Sequence, residues 1–97
     1  MKVRYTLPAL ADLEAVLDYL IEQSPQGAKR IEARIQAVER LLADHPWSGV
    51  RTRLPWLRRI KVSPYPYLIF YEVTDDAVVI HALRHRARSP SSMPDTG

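Results

Sequence analysis

Apolar and polar positions along the chain change period several times, and each change marks an element. Residues 2–6 alternate, with Val3 and Tyr5 set against Lys2, Arg4 and Thr6, which predicts a short strand exposed on one side. Thr6 then stands where a helix N-cap belongs, with Pro8 in the first turn. Leu10, Leu13, Leu17 and Leu20, with Val16 and Ile21 beside them, recur at helical spacing, while Asp12, Glu14, Asp18 and Glu22 fill the rest of the surface. Ser24-Pro25 ends that helix and starts another, whose apolar face is Ala28, Ile31, Ile35, Val38 and Leu42; the His45-Pro46 step stops it. A connection this short predicts an antiparallel helical hairpin.

Residues 47–56 lose all periodicity and contain Gly49 and Pro55, so they read as a loop, which holds both tryptophans. Trp47 and Trp56 would plug the edge of the core or anchor a partner. Residues 57–62 alternate again, Arg58, Ile60 and Val62 on one face and Leu57, Arg59 and Lys61 on the other. After the turn Ser63-Pro64-Tyr65-Pro66 comes Tyr-Leu-Ile-Phe-Tyr-Glu-Val (67–73), almost wholly apolar, β-branched or aromatic. That composition predicts a central strand buried on both faces. Asp75-Asp76 turns the chain into a further strand over 77–83.

The expected fold is therefore α+β: an N-terminal strand, an antiparallel two-helix hairpin, then a three-stranded antiparallel meander. The helices would pack on one face of a four-stranded sheet (β-α-α-β-β-β). The neighbour of the first strand stays open. Residues 1–90 make one domain and 91–97, poor in apolar side chains, a flexible tail.

Composition narrows the function. With no Cys, neither disulfides nor thiolate zinc sites are available, and no motif calls for a metal or cofactor. No leader and no long apolar run is visible, so the expectation is a cytoplasmic protein without a membrane role. The net charge of +3 is uneven. Residues 1–50 carry six basic and seven acidic side chains, residues 51–97 eight and four, and Arg far outnumbers Lys. Arg is the better fork for phosphate and carboxylate, so the second half reads either as ordinary solvated surface or as a basic face for an acidic partner or nucleic acid.

Three segments carry a resemblance. Residues 6–20 (Thr-Leu-Pro-Ala-Leu-Ala-Asp-Leu-Glu-Ala-Val-Leu-Asp-Tyr-Leu) look like an opening helix, and 57–62 followed by 66–73 look like paired strands. His85-Arg-Ala-Arg-Ser-Pro90 looks like a closing motif, with Ser89 where an acidic residue is usual. In this order and spacing, over residues 2–90, the chain resembles the RelE/ParE toxin superfamily of bacterial type II toxin–antitoxin systems, its ParE-like branch above all. The resemblance implies a toxin neutralised by a cognate antitoxin. It implies inhibition of DNA gyrase by binding alone in a ParE-like protein, or cleavage of messenger RNA on the ribosome in a RelE-like one.

Cutting RNA needs a base for the 2′-OH, a cation for the phosphorane and an acid for the leaving oxygen. The resemblance puts a catalytic Arg in RelE-like proteins where this chain has Leu68, which disfavours the ribonuclease. If the chain were RelE-like, Arg59, Lys61, His85 and Arg88 would have to substitute. Arg84, His85, Arg86 and Arg88, with Arg59 and Lys61, read better as a target-binding surface. Trp47, Trp56 and Leu57 are the candidate antitoxin anchors. A non-toxic nucleic-acid-binding module is the remaining reading.

Overall fold

A computed structural model describes residues 1–87 and 93–95. It orders the elements as β1 (Lys2–Tyr5), α1 (Leu7–Gln23), α2 (Pro25–Asp44), β2 (Val50–Arg51), β3 (Arg58–Lys61), β4 (Tyr67–Val73) and β5 (Ala77–His85). The caps are those the sequence announces. Thr6 Oγ1 accepts from the Ala9 N–H at 3.2 Å, and Ser24 Oγ accepts from Gly27 at 3.1 Å. Because Ser24 closes α1 and opens α2, no loop separates the helices.

The sheet has five strands rather than four, in the order β1-β5-β4-β3-β2. The extra strand, β2, is a two-residue pairing inside the expected loop, with Val50 opposite Arg59 and Arg51 opposite Arg58. β1 runs parallel to β5, with Lys2 opposite Ala77 and Tyr5 opposite Ile80, which settles its neighbour. β4 lies in the middle of the sheet, antiparallel to both β3 and β5. The expected strand over 77–83 runs two residues further, to His85, and bulges: Phe70 faces Ala82 while Tyr71 faces Ile80, leaving His81 unopposed.

Alternation along β4 divides its side chains between two layers. Tyr67, Ile69 and Tyr71 join Val62, Val78, Ile80 and Leu83 under Ile31, Ile35, Val38 and Leu42 of α2 and Ala9 of α1. Phe70 faces the other way, against Leu57 and Ala82, with Leu54, Leu68 and Met93 around them. Each large apolar side chain so buried contributes about 1.5–3 kcal/mol before entropy. Helices cover the first layer only. Among the described residues, no helix is long and apolar enough to cross a membrane.

α1 departs from its expected pattern. Leu13, Val16 and Leu20 pack inward, but Leu10 and Ile21 are exposed and, with half-buried Leu17, form an outward apolar stripe. Among the described residues, no strand flanks β5 on its β1 side beyond Tyr5. Asp12 of α1 fills that gap: its carboxylate accepts from the Leu83 N–H at 3.1 Å and also pairs with Arg84. Asp12→Ala strands the Leu83 N–H and removes the carboxylate that pairs with Arg84, both in a partly buried place. It should lower unfolding free energy by about 1–3 kcal/mol in urea titration, against a few tenths for the exposed neighbour Glu14→Ala.

Candidate functional site

Direct partners in an antiparallel ladder share a face, so register assembles the site on the side of the sheet away from the helices. Lys61 is opposite Leu68 and Leu68 opposite Arg84; one step along, Arg59 is opposite Phe70 and Phe70 opposite Ala82. Arg59, Ile60, Lys61 and Leu68, with Arg86 just past β5 and Ser48, Gly49 and Val50 at the rim, line an open groove of about 630 Å³. Arg59, Lys61 and Arg86 are all exposed. The groove is a cationic frame around an apolar centre.

The expected basic surface is thereby sorted. Arg59, Lys61 and Arg86 come together. Arg84 does not face the groove as a spare cation, because Asp12 holds it. His85 is opposite Tyr67, whose ring belongs to the helix-side layer; the two rings meet edge-on at 5.2 Å, and His85 Nδ1 accepts from the Ala87 N–H at 3.0 Å. His85 therefore lies on the far side of the sheet from Arg59 and Lys61. Arg88 lies outside the described residues.

Of the antitoxin anchors, Leu57 is 1 % exposed and packs with Phe70 and Ala82, with Met93 against them. Neither tryptophan plugs the core: Trp47 is 62 % and Trp56 52 % exposed. Trp47 lies under the Arg58 guanidinium, 4.8 Å from its ring centre, and Trp56 meets His81 edge-on at 5.4 Å. With Arg51, Thr52, Arg53, Pro55 and Val73 they surround a second depression of about 500 Å³. Reading the sequence missed the exposed stripe of Leu10, Leu17 and Ile21. Their spacing of seven and four was the available signal, but it merges with that of Leu13, Val16 and Leu20 when both are assigned to one face.

Two phenols support the frame from below. Tyr71 Oη accepts from the Gly49 N–H at 2.8 Å, tying the segment before β2 to the core. Tyr5 donates to the Glu39 carboxylate, tying β1 to α2. Burial pushes both phenols above the ordinary 10.0; for Tyr5 the hydrogen bond to Glu39 adds to it, and for Tyr71 the Gly49 N–H and Arg58 pull back. The unfolded chain thus releases these protons at lower pH than the folded one. Their contribution is complete below pH 10.0 and is lost as pH rises through the folded values. Urea midpoints should fall between about pH 10 and 12. The fall should be shallower in Tyr5→Phe.

Comparison with known proteins agrees with this architecture. A family described as the ParE toxin of type II toxin–antitoxin systems matches residues 3–90. The toxin RelE2 of Caulobacter vibrioides is 41 % identical over 87 residues, covering 90 % of this chain and 97 % of that protein. Among solved structures, the chromosomal ParDE system of P. aeruginosa superposes with a TM-score of 0.73 at 22 % identity, over 88 % of this chain and 95 % of its own. The RelBE2 toxin–antitoxin complex of Mycobacterium tuberculosis superposes at 0.60 and 23 %, over 90 % and 92 %. By the extent of the family match and the identity to RelE2, the chain belongs to the ParE toxins of type II toxin–antitoxin systems, within the RelE/ParE superfamily.

Proposed function

We propose that this toxin inhibits DNA gyrase by binding, through the basic groove of its uncovered sheet face, and performs no catalytic step. One observation carries the reading: Arg59, Lys61 and Arg86 surround Leu68, while His85 stands on the opposite face. The groove can grip anionic groups with forked and point charges. Among the described residues, its lining includes no imidazole to move a proton at neutral pH. Purified protein should block supercoiling by gyrase and accumulate cleaved-DNA complexes; unaltered supercoiling without such complexes contradicts the proposal.

The similarity to RelE2 keeps messenger RNA cleavage as the second reading. Primer extension on translated messages would then show codon-phased cuts that vanish in Arg59→Ala. Family membership weighs against a non-toxic binding module.

The partner we infer is a cognate antitoxin, as in the ParDE and RelBE2 systems. It would cover the stripe of Leu10, Leu17 and Ile21, and Trp47 and Trp56, with a segment that folds on contact. Outward apolar side chains of this size are otherwise a liability in water.

A further inference from the structure

Part of the segment expected to be a loose tail is placed on the working face. Met93 packs against the cluster of Leu57, Phe70 and Ala82, beside Leu54 and Leu68. Two residues on, the Asp95 carboxylate lies 3.6 Å from the Arg59 guanidinium, and the Asp95 carbonyl accepts from Arg53 Nε at 2.6 Å. The Asp95 side chain is only 15 % exposed, so the contact is a seat and not a graze. An apolar side chain thus fills the apolar part of this face, and a carboxylate takes one of the three cations of the groove.

We propose that the uncovered face holds a peptide-binding site, made of Leu54, Leu57 and Leu68 with Arg53 and Arg59. Its resident occupant is the chain's own segment Met93-Pro94-Asp95, which an anionic target must displace from Arg59. This rests on the reading of the groove as the target-binding surface. Exclusion is direct, since one guanidinium cannot give the same fork to Asp95 and to an incoming phosphate or carboxylate. The ion pair is loose and its Arg half-exposed, so it is weak and exchangeable. It is nevertheless occupied, because a tethered ligand meets its site at an effective concentration in the millimolar range. The tail therefore lowers the apparent affinity of the groove without closing it, leaving Lys61 and Arg86 to make first contact.

Two readouts on the full-length chain test this, and neither contains gyrase, so the site and the gyrase reading can fail separately. The chain has two methionines, Met1 and Met93. With 13C-methyl methionine, the Met93 signal should be displaced from the free-chain position and move to it in Asp95→Lys. In anisotropy titrations with a labelled single-stranded poly-dT of about 20 nucleotides, Asp95→Ala should tighten binding about three- to fivefold, as release of one surface ion pair allows. It should have no effect in an Arg59→Ala background. Asp75→Ala removes the same charge from the exposed β4–β5 turn and should tighten binding far less. A Met93 methyl already at the free-chain position in the wild type overturns the proposal. So does equal tightening by Asp95→Ala and Asp75→Ala, or tightening that survives Arg59→Ala.

Discussion

Induction of the Arg59→Glu/Lys61→Glu double variant is expected to leave cells growing, where the wild-type chain is expected to arrest them. The variant should fold as the parent does. Both side chains are exposed on β3 and neither contributes to a buried layer, so thermal unfolding should move by no more than surface substitutions usually cause. Among the described residues, the one ion pair lost is that of Arg59 with Asp95, a partly solvated contact. The functional effect is much larger. Each charge-assisted hydrogen bond to an anionic partner contributes about 1.5–3 kcal/mol, and reversal adds repulsion, so target affinity should fall by at least about two orders of magnitude. A titration of purified variant against its target gives that number. A variant that still arrests growth at equal expression would place the working surface elsewhere.

Gly49→Ala should be far more damaging than Gly27→Ala, where an added Cβ comes no nearer than 3.3 Å to the Ser24 side chain. A Cβ on Gly49 would meet Tyr71 Oη at 2.5 Å, the Arg59 carbonyl at 2.6 Å and Tyr71 Cε1 at 2.8 Å. Neither obstacle can give way cheaply: Tyr71 is fully buried, and the carbonyl belongs to β3. Relief requires β2 to move off the sheet, which breaks the Gly49–Tyr71 hydrogen bond and unseats the rim of the groove. Overpacking of this kind with a lost hydrogen bond costs about 2–4 kcal/mol. For a domain of this size that lowers Tm by about 10–20 °C. Tyr71→Phe in the same background should recover part of the loss, because the nearest obstacle is the phenol oxygen. A Tm within about 3 °C of the parent would show that the segment before β2 is looser than its contacts imply.

Local signals were enough for most of the architecture. Thr6 and Ser24 announce both helix starts, and the apolar run of Tyr67–Val73 identifies the middle strand. What escaped were the features decided by distant partners. β2 is too short to have a period, and only its pairing with β3 makes it a strand. The parallel pairing of β1 with β5 joins residues some 75 positions apart, and nothing in Lys2–Tyr5 names that neighbour. The site shows the same division. Alternation in residues 58–61 correctly set Arg59 and Lys61 on one face, but not whether the helices would cover that face. Arg84 looked like a free cation because Asp12, 72 residues earlier, is invisible to any local window. His85 and Arg86 are adjacent in sequence, yet His85 is held on the helix side against Tyr67 while Arg86 lines the groove.

Hydrogen exchange of the toxin alone and with gyrase tests the working surface most directly. If the uncovered sheet face does the binding, amide protection should rise in β3, in β4 around Leu68 and at Arg86, while α1 and α2 exchange as before. Protection confined to the two helices, with β3 and β4 unchanged, would contradict the account.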